Sequence, residues 1–160
     1  FEMRNRWGFM NKTGDVVIQA QYTEVGPFYA NIAPARNNSW GLINKNGLFV
    51  VPPQYDGIGN FYEGFAYVRK GEKFGYIDST GKSITSIVYY NTGVFSNGLA
   101  AVAIKDTGGN EKWGYIDQKG KVVIPIQYDY AHDFKENGLA IVEINEEEFF
   151  INKNGQKQAY

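Results

Sequence analysis

The chain has 160 residues, a formal net charge of −1 and no cysteine, and no apolar run in it approaches the roughly 20 residues of a membrane span. The near-neutral charge excludes a whole-protein field that would attract nucleic acid or an anionic membrane, and the lack of cysteine excludes disulfides and cysteine-based metal sites. With 19 Gly, 12 Tyr, 11 Phe and 3 Trp, the composition predicts an all-β fold rich in turns, with no nucleic-acid partner and no membrane insertion.

One eight-residue motif occurs five times, beginning near residues 7, 40, 74, 113 and 148. In chain order the copies read WGFMNKTG, WGLINKNG, FGYIDSTG, WGYIDQKG and EFFINKNG. Successive copies begin 33, 34, 39 and 35 residues apart. A period of this size predicts an array of one repeated supersecondary unit. We assign residues 1–160 to a single domain of such units.

Residues outside the motif keep the same register in the first four copies. A tyrosine stands eight residues after each turn glycine, a phenylalanine six residues further on, and an alanine in the strand that follows. These columns are Tyr22, Tyr55, Tyr89 and Tyr128, then Phe28, Phe61, Phe95 and Phe134, then Ala33, Ala66, Ala100 and Ala140. Each unit is predicted to be a three-stranded antiparallel meander of an alanine strand, a Trp-Gly strand and an aliphatic strand. FEMRNR takes the first alanine-strand position and GQKQAY the last aliphatic-strand position, so the chain holds five units.

The turn after each Trp-Gly strand opens with Asn or Asp and closes with Gly. Such a turn lets the Asn or Asp side chain bond the backbone and lets glycine adopt a positive φ. Turn geometry therefore explains these positions without a bound cation. They are Asn11, Asn44, Asp78, Asp117 and Asn152, with the structural glycines Gly14, Gly47, Gly81 and Gly120.

Alternate residues of the Trp-Gly strand point to opposite sides of the sheet, and both sides are apolar. A sheet packed between two similar sheets must bury both faces, so the aromatic residues that begin the motif are predicted to pack in the core. They are Trp7, Trp40, Phe74 and Trp113. A propeller-like ring of about five sheets meets this requirement, and an open β-solenoid or superhelical stack of the same units meets it equally well. We favour the ring because an open stack exposes two apolar end faces.

At these residues the chain resembles the bacterial WG repeat family, also called KWG repeats. The signature KWGYID stands unaltered at residues 112–117, and about four copies share one register. The resemblance implies a noncatalytic, cofactor-free repeat module that mediates interactions, usually as part of a larger bacterial protein. The fifth copy departs from the pattern, with Glu148 and Phe149 in place of Trp and Gly.

Few side chains are suited to catalysis. His132 is the single histidine, and the chain has no Gly-x-Ser-x-Gly motif. A pair of carboxylates could serve a glycosidase, but Asp56 and Asp129 occupy equivalent repeat positions, which a packing or turn role explains. We predict no catalytic residue, no metal ligand and no cofactor.

Binding is better supported, because some tyrosines lie outside the repeat skeleton. We predict that Tyr29, Tyr62, Tyr90 and Tyr130 occupy the same loop of successive units and line a shared rim. An insertion lengthens one hairpin, and its tip is a candidate contact point: Asp106, Thr107, Gly108, Gly109 and Asn110. We expect a protein or peptide partner, and the alternative is a carbohydrate or cell-envelope glycan bound by the tyrosines. The sequence indicates no compartment.

Overall fold

The computed structural model describes residues 1–159, which contain eighteen strands and no helix. The strands form five small antiparallel sheets that follow one another along the chain. No segment of this range is a helix long and apolar enough to cross a bilayer. The predicted all-β array of tandem units is confirmed. The predicted domain runs to residue 160, which lies outside the described residues.

In each sheet, neighbouring strands are also neighbours along the chain. The first sheet contains β1 (Glu2–Met3), β2 (Arg6–Met10) and β3 (Val16–Tyr22). The second contains β4 (Glu24–Val25), β5 (Ile32–Arg36), β6 (Trp40–Asn44) and β7 (Phe49–Tyr55). The third contains β8 (Gly57–Ile58), β9 (Phe65–Lys70) and β10 (Lys73–Asp78). The fourth contains β11 (Asn91–Thr92), β12 (Leu99–Lys105), β13 (Glu111–Asp117) and β14 (Val122–Tyr128), and the fifth β15 (Tyr130–Ala131), β16 (Ala140–Ile144), β17 (Glu147–Ile151) and β18 (Lys157–Gln158).

A short strand precedes the alanine strand in four of the sheets, so two of the five sheets have three strands and three have four. β4, β8, β11 and β15 have only two residues each, too few for side-chain alternation to reveal them. Each begins two residues after the register tyrosine of the preceding unit, so that one residue lies between them. The intervening residues, which we call the corner residues, are Thr23, Asp56, Tyr90 and Asp129. The chain therefore passes from one sheet to the next at a sharp corner, without a long loop.

The third sheet has no regular aliphatic strand. In this segment Ser83 forms an isolated bridge with Ile77, and Tyr89 forms one with Phe74. The hydroxyl of Thr85 accepts the backbone N–H of Tyr76 at 2.9 Å. Because a side-chain oxygen replaces a backbone carbonyl here, the ladder between this segment and β10 is irregular.

The glycine of each Trp-Gly pair lies against the backbone of the aliphatic strand. In the fourth sheet the pairing of β13 with β14 shifts register between Trp113 and Tyr115, as at a β-bulge. A Cβ on Gly114 would lie 2.7 Å from the carbonyl oxygen of Ile124, which is closer than real Cβ atoms approach. The bulge therefore requires glycine after the tryptophan.

The five turns after the Trp-Gly strands all contain the predicted Asx hydrogen bond. The side-chain oxygen of the first residue accepts the N–H two residues on at 2.8 to 3.0 Å. Gly81 closes its turn with φ 84°. A Cβ on Gly81 would collide with the side chain of Val51 in the preceding unit, so the turn glycine also permits close packing between units.

Four apolar clusters hold the array together, and each joins two consecutive sheets. In β13, Trp113 and Tyr115 pack towards the fifth sheet, whereas Ile116 packs towards the third. The inner sheets thus bury both faces, as predicted. Within residues 1–159 no cluster combines residues of the first and fifth sheets. This is the connectivity of the open-stack alternative, since a ring would need a fifth interface.

Buried phenol groups also link successive units. The Tyr76 hydroxyl donates to the carbonyl oxygen of Gly93 at 2.8 Å, and the Tyr115 hydroxyl donates to that of His132 at 2.7 Å. Burial raises the pKa of both phenols far above the ordinary value. They therefore remain neutral donors, and each of these two contacts includes a satisfied polar group within an apolar interface.

We predict that Trp113→Ala lowers the free energy of unfolding by about 3–5 kcal/mol, because a large aromatic side chain leaves a cavity in a packed core. Trp113 is 4% exposed, whereas Trp7 at the equivalent position is 38% exposed, so Trp7→Ala should cost clearly less. Denaturant unfolding of the two variants measures the difference. Equal losses would contradict the packing of the fourth sheet between two neighbours.

A second pair of substitutions separates backbone strain from packing in the turns. Gly14 and Gly81 have φ values of 89° and 84°, but a Cβ on Gly14 meets no atom within 4 Å. Gly14→Ala should therefore cost only the strain of the left-handed conformation, about 1–2 kcal/mol. Gly81→Ala should cost more, because it also collides with Val51. Urea unfolding provides the comparison, and losses of the same size would show that the turn does not pack on the preceding unit.

Candidate binding surface

The four predicted ligand-binding tyrosines occupy three different positions in the unit, so the expectation of one equivalent row is wrong. Tyr29 and Tyr62 stand before tight turns, where they form isolated bridges with Ile32 and Phe65. Tyr90 is a corner residue, and Tyr130 lies in the edge strand β15. The cause is spacing: Tyr29 and Tyr62 follow their turn glycines by 15 residues, but Tyr90 and Tyr130 follow theirs by 9 and 10. That these tyrosines bind a ligand stays a prediction.

Three of these tyrosines contact aromatic rings or ammonium groups of the same chain. The Tyr29 ring stacks on Phe61, with 5.4 Å between ring centroids. The Tyr90 ring lies 3.1 Å from Lys73 Nζ and 4.5 Å from Lys105 Nζ, measured to its centroid. Tyr130 contacts the rings of Trp113 and His132, with centroid distances of 5.3 and 4.9 Å. Tyr62 and Tyr130 are the more exposed of the four.

The predicted protruding loop forms an exposed hairpin tip between β12 and β13. The carboxylate of Asp106 accepts the N–H groups of Gly108 at 2.8 Å and Asn110 at 2.9 Å. The hydrogen bond from Asn110 is the main cause that lowers the pKa of Asp106. The tip is thus a self-contained Asx turn, and its role in partner contact stays a prediction.

Asp56 and Asp129, the two carboxylates at equivalent positions, each stabilise the hairpin of the following unit. Asp56 Oδ2 accepts the N–H of Gly71, and Asp129 Oδ2 accepts the N–H of Asn145, both at 2.7 Å. Asp129 also pairs with Lys112, and this contact is the main cause that holds its pKa below the ordinary value. Each carboxylate is engaged within its own unit pair, so the two do not form one acidic pocket.

Asp133 is a partly buried carboxylate at the fourth interface. Its carboxylate accepts the N–H of Val94 at 3.1 Å and lies so close to Gly93 that a Cβ there would collide with it. Burial raises the pKa of Asp133, and the Val94 hydrogen bond and the nearby His132 oppose the rise. His132 is exposed, and residues 1–159 contain no group of three or more His, Asp or Glu side chains arranged to hold a metal ion.

The first sheet exposes an apolar face that the other sheets bury. Met10 is 49% exposed, whereas the residues at the same position of the other units are 0% exposed. Those residues are Ile43, Ile77, Ile116 and Ile151. Met3 and Val16 lie on the same side as Met10 and are 59% and 45% exposed. We call the surface of Met3, Met10 and Val16 the open face, and in the described chain no sheet covers it.

A groove of about 540 Å³ adjoins the open face, within the usual size range of ligand sites. Its apolar lining consists of Phe9, Met10, Val17 and Phe28, and its polar lining of Asn11, Lys12 and Lys45. Asn11 is occupied by its own turn, where its oxygen accepts N–H groups of Thr13 and Asp15. Neither lysine takes part in an ion pair within the described range. The groove therefore offers an apolar floor and two ammonium groups.

The repeated motif, the stacked sheets and the bulge at each Trp-Gly pair define a tandem β-repeat protein. Among protein-family models, the WG containing repeat matches residues 7–39, 40–74, 74–107 and 113–147. These matches cover most of the chain, which therefore belongs to the WG repeat family, as the sequence motifs predicted. Comparison with curated proteins and with solved structures gave no match.

The sequence analysis favoured a closed ring, in which every sheet has two neighbours. It therefore did not predict that one face of the first sheet is exposed. The sequence contains one indication of this difference: the first unit has two methionines, Met3 and Met10, and the other units have isoleucine at the position of Met10. The sequence analysis gave Asp56 and Asp129 a packing or turn role but did not predict that they accept hairpin N–H groups. Two sequence features together indicate this role: an Asp directly after the register tyrosine, and a tight hairpin in the next unit.

We predict that Asp133→Asn is more stable than the native protein at neutral pH, because it removes a buried charge while keeping an acceptor for Val94. Below the ordinary pKa of 3.8 the carboxyl is protonated in both folded and unfolded chains, so the variants should be equally stable there. As the pH rises above 3.8, the unfolded chain ionises first, and native stability falls until the raised folded pKa is passed. Unfolding midpoints measured from acid to neutral pH test this. A destabilised variant at neutral pH would contradict it.

Proposed function

We propose that this chain is a noncatalytic interaction module that binds a protein or peptide through the open face and the adjoining groove. The observation that carries the proposal is the exposure of Met10 in a column whose other members are fully buried. Covering apolar surface is worth about 25 cal/mol per Å². A contiguous exposed apolar surface beside a groove is therefore a favourable place for a partner to bind.

The groove supports a partner that combines an apolar side chain with negative charge. Phe9 and Phe28 pack edge to face, with centroids 4.8 Å apart, and form a firm apolar wall. Lys12 and Lys45 complement a carboxylate, so they would orient a partner whose apolar anchor has an acidic neighbour. An apolar anchor in a pocket with charges around it is the usual pattern of a binding hot spot.

The noncatalytic part of the proposal rests on how the carboxylates are used. A glycosidase needs two carboxyl groups facing one another across about 5–10 Å of substrate space. Asp56 and Asp129 instead hold separate hairpins. From the family resemblance we also infer that the module is part of a larger bacterial protein.

Carbohydrate binding is the second candidate, and the surroundings of Tyr130 favour it. Tyr130 is exposed and its ring contacts those of Trp113 and His132. An exposed aromatic ring with a hydroxyl offers a platform and a polar handle to a sugar. Tyr130 lies in the fifth sheet and the open face in the first, so the two candidates can be tested with different variants.

Selection from a random peptide display library tests the proposed function. The native chain should enrich peptides with an apolar residue beside Asp or Glu, and Met10→Glu should weaken their binding about tenfold or more, because it places a charge in the apolar surface. Val123→Glu is the matched control, since Val123 is an exposed valine of the fourth sheet, and it should leave binding unchanged. Unfolding midpoints verify that both variants fold.

Two results would overturn the assignment to the open face. In one, the selected peptides bind Met10→Glu as well as they bind the native chain. In the other, the selection enriches no peptide. A glycan array with the native chain and Tyr130→Ser tests the second candidate. Glycan binding that Tyr130→Ser abolishes, without any peptide enrichment, would establish carbohydrate recognition instead.

A further inference from the structure

The internal interfaces of the array show what kind of surface fits the open face. At the fourth interface, Leu99, Ala101, Trp113 and Tyr115 of one sheet pack against Ala140, Val142 and Ile151 of the next. We call the side of a sheet that faces the next unit along the chain its forward side. The side that faces the preceding unit is its backward side. Met10 stands at the position of Ile151, so the open face is a backward side. Its complement is the forward side of another repeat sheet.

The fifth sheet has a forward side that is incompletely covered. Leu139 and Ile141 stand at the positions of Leu99 and Ala101, which are 7% and 1% exposed. Leu139 and Ile141 are only half-buried. On the same side, Glu143 and Glu148 pair across β16 and β17, where the fourth sheet has Ala103 and Trp113. This forward side is therefore apolar at one end of its strands and acidic at the other.

The hairpins of the two end sheets have the same backbone turn and opposite charge. Arg4 and Asn5 have φ values of 52° and 61°, and Asn145 and Glu146 have φ values of 52° and 66°. The first hairpin, Met3 to Arg6, carries two arginines, and the last, Ile144 to Glu147, carries two glutamates. The hairpins of the third and fourth sheets contain both signs of charge. The second hairpin carries one arginine, Arg36, and no acidic residue. The charge of the hairpins is thus positive at the first sheet and negative at the fifth.

Successive hairpins already contact one another within the chain. Arg6 Nη1 donates to Asn37 Oδ1 of the next hairpin at 3.2 Å. In two units a carboxylate also accepts the N–H of the second hairpin residue, Gly71 or Asn145. The equivalent residue of the first hairpin is Arg4, and within residues 1–159 its N–H has no carboxylate acceptor. The first hairpin thus lacks the carboxylate contact that the hairpins of the third and fifth sheets have.

We propose that the partner of the open face is the fifth sheet of a second copy of this chain, so that copies associate head to tail. The inference rests on the proposed function, because it names the partner of the same surface. Met3, Met10 and Val16 cover Leu139 and Ile141 of the neighbouring copy, and Arg4 faces Glu146. A contact between unlike faces leaves one face free at each end. Association therefore extends into chains of several copies and continues the internal stack.

Sedimentation velocity of the chain over a wide concentration range tests this. The average mass should rise with concentration beyond that of a dimer, and it should fall when the salt is raised from roughly 0.05 to 0.5 M, because exposed charges are screened. Arg4→Glu and Glu146→Lys should each weaken association about tenfold through like-charge contacts. An equal mixture of the two variants should associate again, since each head then meets a tail of opposite charge.

Other outcomes separate this inference from the proposed function. Monomers at all concentrations, together with peptide binding that depends on Met10, would overturn the head-to-tail inference and leave the proposed function standing. Association that Met10→Glu abolishes but Glu146→Lys does not change would mean that two open faces meet, which also overturns it. Loss of both peptide binding and association in the native chain would overturn both. Lys119→Glu, at an exposed turn position, is the control for a change of charge alone and should leave association intact.

Discussion

The structure depends on one constraint: a small sheet with two apolar faces must have a neighbour on each side. In the fourth sheet, Trp113 and Ile116 point in opposite directions and are both buried, each by a different neighbouring sheet. The close packing that results requires glycine where the backbones approach, as at Gly114 and Gly81. Buried phenols such as Tyr76 then find acceptors in the next unit. The repeated motif is the local consequence of this packing.

The corners and hairpins show how the units tolerate variation without losing the stack. Where the corner residue is Asp56 or Asp129, its carboxylate stabilises the short hairpin of the next unit. Where the corner is Tyr90, the next hairpin is longer and contains Asp106, which supplies the same kind of acceptor from within the loop. The insertion therefore brings its own turn chemistry, and hairpins of both types have a carboxylate that accepts backbone N–H groups.

The same constraint leads from the fold to the proposed function. A linear stack leaves the backward side of its first sheet without a neighbour in the described chain, and this exposes Met10 while its counterparts are buried. Apolar surface of this kind is stabilised by a partner, whether a peptide or another sheet. Under the proposed function, Lys12 and Lys45 beside the groove, and Arg4 in the hairpin, would favour acidic partners. The proposed binding surface is thus a direct result of the way the array is built.

The sequence by itself determined the family, the all-β class, the period and the turn chemistry, because these depend on residues close together in the chain. Alternation in β13 and the Asx turn at Asp117 are local properties that a pattern reveals. The tertiary structure decided the acceptor roles of the corner carboxylates and the exposure of Met10. Each depends on which residues meet between units, and an array of equivalent sheets has the same local pattern whether its ends are joined or open. Only the packing of one sheet on the next distinguishes a buried apolar face from an exposed one.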